Sequence, residues 1–201
     1  MGLVLHGIAG SRAIRCLWML EELGLPYQHV AVDFRHQTRS REFLALNPNG
    51  RIPVLEVDGL VVCESLAINL HLARRACGPL SAHDAAEDAQ SLMWSFWAVN
   101  EIERDCVAIL LHRQALPPER RKAEAARQAE GRLRAPLAVL EAHLQAQEFL
   151  AAPRFTVADL NVAAILAWSR PALDLLTPFP ATTAWLNAAL QRPAYARALL
   201  R

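Results

Sequence analysis

The sequence predicts an α/β first part followed by an all-α second part, and three observations predict it. Seven of the eight glycines fall within residues 1–80, and only Gly131 lies beyond. Alanine runs the other way, with 7 before residue 81 and 29 after it. Short strand-like runs punctuated by turns fill the first part, whereas the second shows long helical periodicity.

Each element follows from local signals. Strand-like runs cover 3–6, 27–33, 52–57 and 60–62, the last two joined by Asp58-Gly59, a two-residue hairpin signal. A helix over 11–23 is stopped by Gly24 and Pro26, and another over 65–76 by Gly78 and Pro79. With a short helix around 41–46 the order is β-α-β, helix, β-β-α. After a linker at 78–84, long helices over 85–113 and 118–145 flank Pro117-Pro118 and read as an antiparallel pair. Thr156-Val157-Ala158-Asp159 has capping-box spacing with Asp in place of Glu, and Phe155 and Leu160 hold the staple positions, so a helix starts there and runs to Trp168. Shorter helices over 181–191 and 193–200 complete the second domain. The expected division is 1–77, linker 78–84 and 85–201.

The 201 residues are 53% hydrophobic and 20% charged, and a chain of this length buries roughly 70% of the surface its unfolded form exposes. With 21 basic against 20 acidic side chains, nothing biases it toward nucleic acid or an anionic membrane. Apolar runs such as 162–168 are far shorter than the roughly 20 residues of a membrane span. The opening Met1-Gly2-Leu3-Val4-Leu5-His6 has no charged or apolar leader pattern, so the expected location is the cytoplasm. Cys16, Cys63, Cys77 and Cys106 form no C-x-x-C pair, which fits neither a metal site nor a dithiol redox motif; reduced, mostly buried thiols are expected.

Three places could carry chemistry. Ser11 closes a strand-to-helix loop, where its hydroxyl and the first helical amides favour an anion; alternatively it merely caps its own helix. Proline in Ile52-Pro53 deletes a ladder donor, so the position is a sheet edge or the bond is cis, and either leaves the Ile52 backbone open to a ligand; a plain turn is the alternative. Glu64-Ser65 opens a helix, where Ser65 and the amides suit a carboxylate and Glu64 an ammonium, against a plain cap with an exposed acid. In such a sheet the three lie at one end, within reach of one short peptide with a zwitterionic end.

The stretches 11–24 (Ser-Arg-Ala-Ile-Arg-Cys-Leu-Trp-Met-Leu-Glu-Glu-Leu-Gly), 47–55 (Asn-Pro-Asn-Gly-Arg-Ile-Pro-Val-Leu), 64–68 (Glu-Ser-Leu-Ala-Ile) and 155–160 (Phe-Thr-Val-Ala-Asp-Leu) resemble cytosolic glutathione transferases, of the serine-type, bacterial-like kind. Each pattern is weak alone, but their order and spacing are specific. The resemblance implies a thioredoxin-like first domain, a helical second domain, a homodimer and glutathione as co-substrate, with no metal. By the same resemblance Ser11 is the thiol-activating serine, Ile52 before the cis-proline Pro53 pairs with the cysteinyl unit, and Glu64 and Ser65 hold the γ-glutamyl end. Arg51 stands where the family often has a basic residue near the glycine carboxylate, a solvated loop charge being the equal alternative. Gly7 stands roughly where tyrosine-type members keep their catalytic tyrosine, which disfavours that mode. Thr38 holds a site where relatives place a polar residue, with His36 two residues away. Asp159 resembles a helix-capping aspartate, whose loss is expected to cost about 0.5–2 kcal/mol.

The wall of an electrophile pocket between the domains is sought on the first helix of the second domain. There Trp97, Asn100, Glu101 and Arg104 recur at spacings of three and four. Trp94, Phe96 and Trp97 could equally be core or dimer contacts. The expected activity is a detoxifying transferase that ionises glutathione and adds it to a hydrophobic electrophile. Alternatives are a glutathione-dependent isomerase or peroxidase, or a non-catalytic, transferase-like binding or regulatory protein. The first loop lacks the Ser-Ser-Cys pattern of known isomerases, and Cys16 falls inside its helix instead of at the N-terminus, which disfavours thiol-disulfide exchange by the chain itself.

Overall fold

Alternation along Leu3–His6 buries Leu3 and Leu5 on one side, and this strand, β1, becomes the middle of the sheet. The structure, a computed structural model, describes residues 2–201; Met1, where the expected first domain begins, lies outside them. Strand β1 pairs in parallel with β2 (Tyr27–Val30) and antiparallel with β3 (Val54–Val57). Strand β3 pairs antiparallel with β4 (Leu60–Cys63), giving the order β2-β1-β3-β4. The Asp58-Gly59 hairpin has positive φ at both residues, 50° and 85°, as a two-residue turn matching the strand twist requires.

Helices α1 (Ala13–Leu23) and α3 (Ser65–Ala76) pack on each other over one face of this sheet. Leu5 and Leu55, opposite each other in register, are buried there with Leu17, Leu20, Ile68 and Leu72. Val54 alternates to the other face and joins Val32, Ile52 and Phe43 of α2 (Arg41–Leu46) in a smaller core. This is a thioredoxin-like unit followed by a helical one, as expected.

Several boundaries differ from expectation. Strand β2 ends at Val30, because Asp33 turns the chain: its carbonyl accepts the amides of His36 and Gln37, and its carboxylate that of Arg35. Strand β3 begins only at Val54, since the Ile52-Pro53 bond before it is cis. Pro118–Arg120 forms a single 3-10 turn, so the long helix α6 starts at Ala123 and runs to Ala146. The preceding long helix is not uniform. It comprises α4 (Ala85–Trp97), a π-helical stretch (Ala98–Glu103), α5 (Arg104–Leu110) and a second π-helical stretch (Leu111–Ala115). Asp105 pairs with Arg132 and Arg113 with Glu130, one residue rising as the other falls, so α5 and α6 are antiparallel as expected.

Helices α7 (Val157–Leu166) and α8 (Pro180–Leu190) complete this unit, and α9 (Pro193–Leu199) follows. The chain packs as two compact units, Met1–Ser81 with Arg192–Arg201, and Ala82–Gln191. The last ten residues join the first unit through charge and aromatic contacts with α1. Arg192 forks onto Glu22, Arg197 and Arg201 reach Glu21, and Tyr195 lies 4.8 Å from Trp18. Among the described residues no helix is long and apolar enough to cross a membrane.

Candidate functional site

The strand register decides which candidate residues share a neighbourhood. His6, the last residue of β1, lies opposite Val54, the first of β3, and Val54 in turn lies opposite Cys63, the last of β4. The loop carrying Ser11, the Ile52-Pro53 step and the Glu64-Ser65 corner therefore leave the same end of the sheet. Gly7 shows how closely they approach. A Cβ placed on it would lie 3.7 Å from the Ile52 Cβ and only 2.4 Å from the Ala13 Cβ. With φ at +151°, this position takes glycine alone, and a tyrosine there is sterically excluded.

Ser11 is half-buried. Its hydroxyl donates to the Ile8 carbonyl at 2.7 Å and accepts the Ala13 amide at 3.1 Å. The regular helix begins two residues later than expected, at Ala13. The Ile14 and Arg15 amides first bond three residues back, to Ser11 and Arg12, tightening the entry turn. Ser11 thus still satisfies one helix amide, from a position just ahead of the regular helix.

Glu64 has φ 69° and ψ 114°, a conformation that costs a non-glycine residue about 1–3 kcal/mol. Its side chain is exposed, and α3 begins immediately after it with no side-chain cap and no acidic residue in the first turn. Ser65 is buried, and its Oγ accepts a hydrogen bond of 3.1 Å from Nη1 of the fully buried Arg15. Arg51 is exposed, while its carbonyl accepts from the Asn47 side chain at 2.7 Å, which holds the loop leading to Ile52. The Arg39 guanidinium lies beside this loop: a Cβ on Gly50 would sit 2.8 Å from its Nη1. Thr38 is buried and donates to the Phe34 carbonyl, whereas His36 is exposed, 3.9 Å from Asp33. The Thr38 carbonyl lies against the same loop, 2.9 Å from a Cβ placed on Gly50.

Arg15 and Arg39 stand beside these candidates in the structure and were not among the residues singled out from the sequence. Arg15 carried one signal, a cation four residues after Ser11 within a helix whose other residues to Leu20 are apolar. For Arg39 the sequence offers only one arginine among several.

In the helical unit, Trp97 is half-buried with its ring 5.2 Å from that of the buried Trp94, while Asn100 and Arg104 are exposed. Asn100 lies within the π-helical stretch Ala98–Glu103, so the spacings of three and four do not form a regular α-helical stripe. Phe96 is exposed, contrary to a core role. Cys16 and Cys106 are buried, Cys63 is partly so and Cys77 is exposed; burial pushes the Cys16 thiol far above its ordinary range, which makes it inert. Among the described residues no group of three or more His, Cys, Asp or Glu side chains could hold a metal ion.

Comparison with known proteins shows the family. Residues 1–74 match the model of the glutathione S-transferase N-terminal domain, and residues 104–193 that of the C-terminal domain. Glutathione S-transferase 3 of Zea mays is 32% identical over 203 residues, spanning 96% of this chain and 91% of the relative. Disulfide-bond oxidoreductase YfcG of Escherichia coli (strain K12) is 31% identical over 197 residues, spanning 90% and 87%. Among solved structures, the theta class glutathione S-transferase of Xanthomonas axonopodis pv. citri with glutathione bound superposes with a TM-score of 0.87 at 25% identity, covering 100% of this chain and 99% of that one. The chain belongs to the glutathione S-transferase family.

Proposed function

We propose that this protein is a glutathione transferase in which Ser11 stabilises the glutathione thiolate for attack on an electrophilic small molecule. The observation that carries the reading is the register that brings Ser11, Ile52-Pro53 and Glu64-Ser65 to one end of the sheet. In this reading Ser65 and the first amides of α3 take the γ-glutamyl carboxylate, and Glu64 takes its ammonium. The Ile52 backbone pairs with the cysteinyl unit, and Arg51 and Arg39 face the glycine carboxylate. Domain 1–77 holds glutathione, and domain 85–201, after linker 78–84, supplies the electrophile pocket through Trp97, Asn100 and Arg104. The working form is a cytoplasmic homodimer with a detoxifying role.

The energetics limit what Ser11 can do. A thiol of pKa about 8.5 is roughly 3% ionised at pH 7, and lowering the pKa by two units requires about 2.7 kcal/mol. A hydrogen bond to a charged sulfur contributes about 1.5–3 kcal/mol, but the hydroxyl must first release the Ile8 carbonyl, a neutral bond of about 0.5–1.5. The helix terminus adds about 0.3–1 kcal/mol. The sum supports a shift of about one to two units. Because nucleophilicity falls with pKa, a two-unit shift yields only about threefold in rate at pH 7. The remaining acceleration comes from holding the electrophile against the sulfur.

The test is a pH titration of the ultraviolet thiolate absorbance of bound glutathione, in wild type and Ser11→Ala. The midpoint should rise by about one to two units in the variant. Its turnover should fall about fivefold at pH 6.5, with the deficit gone by about pH 8 and reversed at higher pH. Equal titrations would reduce Ser11 to a helix cap. A second reading, in which the thiolate attacks a disulfide, is favoured by the similarity to the Escherichia coli oxidoreductase. It differs in product: the thiolate forms a mixed disulfide and releases one thiolate of the substrate, and a second glutathione then displaces the other to give oxidised glutathione, in place of a thioether.

A further inference from the structure

We propose that Arg15 is a positioning residue of the glutathione site, acting through Ser65; the inference rests on the reading of Glu64-Ser65 as the γ-glutamyl subsite. Arg15 is 1% exposed, on the α1 face that packs against α3. Its Nη1 donates to Ser65 Oγ at 3.1 Å, and two further buried bonds tie the same pair of helices. The Asn69 amide nitrogen donates to the Arg15 carbonyl at 3.2 Å, and the Cys16 thiol to the Ser65 carbonyl at 3.4 Å. The helix that follows Ser11 and the helix that begins at Ser65 are thereby locked in one relative position.

The lock also sets the polarity of Ser65. A hydroxyl that accepts from a guanidinium has its own proton left to give, and the charge behind it strengthens that donation. Arg15 thus commits Ser65 to act as a donor, the role a ligand carboxylate needs. A planar guanidinium on a buried side chain is also preorganised, which a lysine ammonium is not.

The test measures the dissociation constants of glutathione and of S-methylglutathione, which has no thiol, for wild type, Arg15→Lys and Arg15→Gln. The thiolate titration of bound glutathione is recorded in parallel. Losing a charge-assisted bond that orders the subsite should weaken both peptides about tenfold in Arg15→Lys. The titration midpoint should move by less than about 0.3 units, because the sulfur end is not what Arg15 orders. Circular dichroism and thermal unfolding establish that each variant is folded. Unchanged affinity for S-methylglutathione in a folded variant overturns the proposal while leaving the Ser11 reading intact. So does a shifted midpoint at constant affinity. Failure of wild type to bind either peptide overturns both readings, and failure of both variants to fold makes Arg15 purely structural.

Discussion

The starts of α4, α7 and α8 in the helical unit are built differently from those of α1 and α3 in the first. At the former the chain's own carboxylates fill the free amides. Asp84 accepts the Glu87 amide at the start of α4, where Glu87 in turn accepts the His83 amide. Asp159 accepts the Thr156 amide and hydroxyl, the Leu150 amide and the Trp185 indole at the start of α7. Glu141 reaches across from α6 to the Ala181 and Thr182 amides of α8. In the first unit, α1 and α3 begin with no acidic residue in the first turn and no side-chain cap on the boundary residue. The same unit keeps a strained Glu64 and a buried Arg15 beside those starts. Helix starts completed from within are structural, and starts that lack an acid, grouped at one sheet end, suit an anionic ligand.

The largest expected effect comes from breaking a completed start. Asp159→Ala would strand four donors, one of them from a residue 26 positions away, so the loss should reach about 3 kcal/mol or more, beyond the range for a simple cap. For a chain of this size that is a fall of roughly 6–12 °C in Tm, readable by calorimetry. Glutathione affinity of the folded protein should stay within about twofold. A large affinity loss without a Tm change would dissolve the distinction between the two kinds of start.

Gly7→Ala tests the other kind. The new methyl would meet the Ala13 Cβ at 2.4 Å, against a backbone that side chains rarely tolerate. Overpacking of this sort costs about 1–3 kcal/mol. Because Ala13 donates to Ser11, the thiolate midpoint should rise along with the loss in Tm. A change in stability alone would mean that the α1 entry turn can move without affecting the sulfur site.

The acid limb of the stability curve probes α4. Hydrogen bonds from Arg154 and then from the His83 amide, against a smaller burial penalty, lower the Glu87 carboxyl to about 2. A depressed carboxylate contributes stability that is complete above its unfolded value near 4.5 and is lost as pH falls toward 2. After solvent screening this amounts to about 1–2 kcal/mol. Urea unfolding at pH 7, 4 and 2.5 should show that slope, and Glu87→Gln should flatten it. An unchanged slope would place the acid sensitivity elsewhere.

What the sequence revealed follows from how local each signal is. The Thr156 to Asp159 spacing announced the start of α7 because that bond closes within one turn. The donors from Leu150 and Trp185 come from other segments, so the full role of Asp159 was hidden. For Ile52-Pro53 chemical grounds left a sheet edge, a cis bond or a plain turn open, and the bond is cis. Ser11, Ile52 and Glu64-Ser65 stood out as candidates because each sits at a strand-to-helix or loop-to-strand corner. Arg15 did not, since an arginine on a helix reads as a solvated charge until packing shows it buried, and Arg39 is exposed as its sequence suggests. The π-helical stretch at Ala98–Glu103 left no mark in the hydrophobic pattern, so the expected Trp97–Arg104 stripe was drawn with the wrong period.

The smallest effect sharpens the comparison from the far end of α1. Burial would raise the Glu21 carboxyl, but hydrogen bonds from Arg201, Arg197 and Tyr27 outweigh it and leave it lowered, while Glu22 accepts both from Arg192 and from the Trp18 indole at 2.9 Å. Here acids stand in the last turn of α1, the end its dipole disfavours, and arginines from the last ten residues offset them. Arg192→Ala leaves Glu22 its bond to Trp18, so no buried carboxylate is stranded. With Arg192 more than a third exposed, the loss should be only about 0.5–1 kcal/mol, smaller at high salt. Thermal unfolding at low and high ionic strength reads it directly. A loss of several kcal/mol, insensitive to salt, would mean that the final helix is held by that single fork and not by the shared packing of Tyr195 on Trp18.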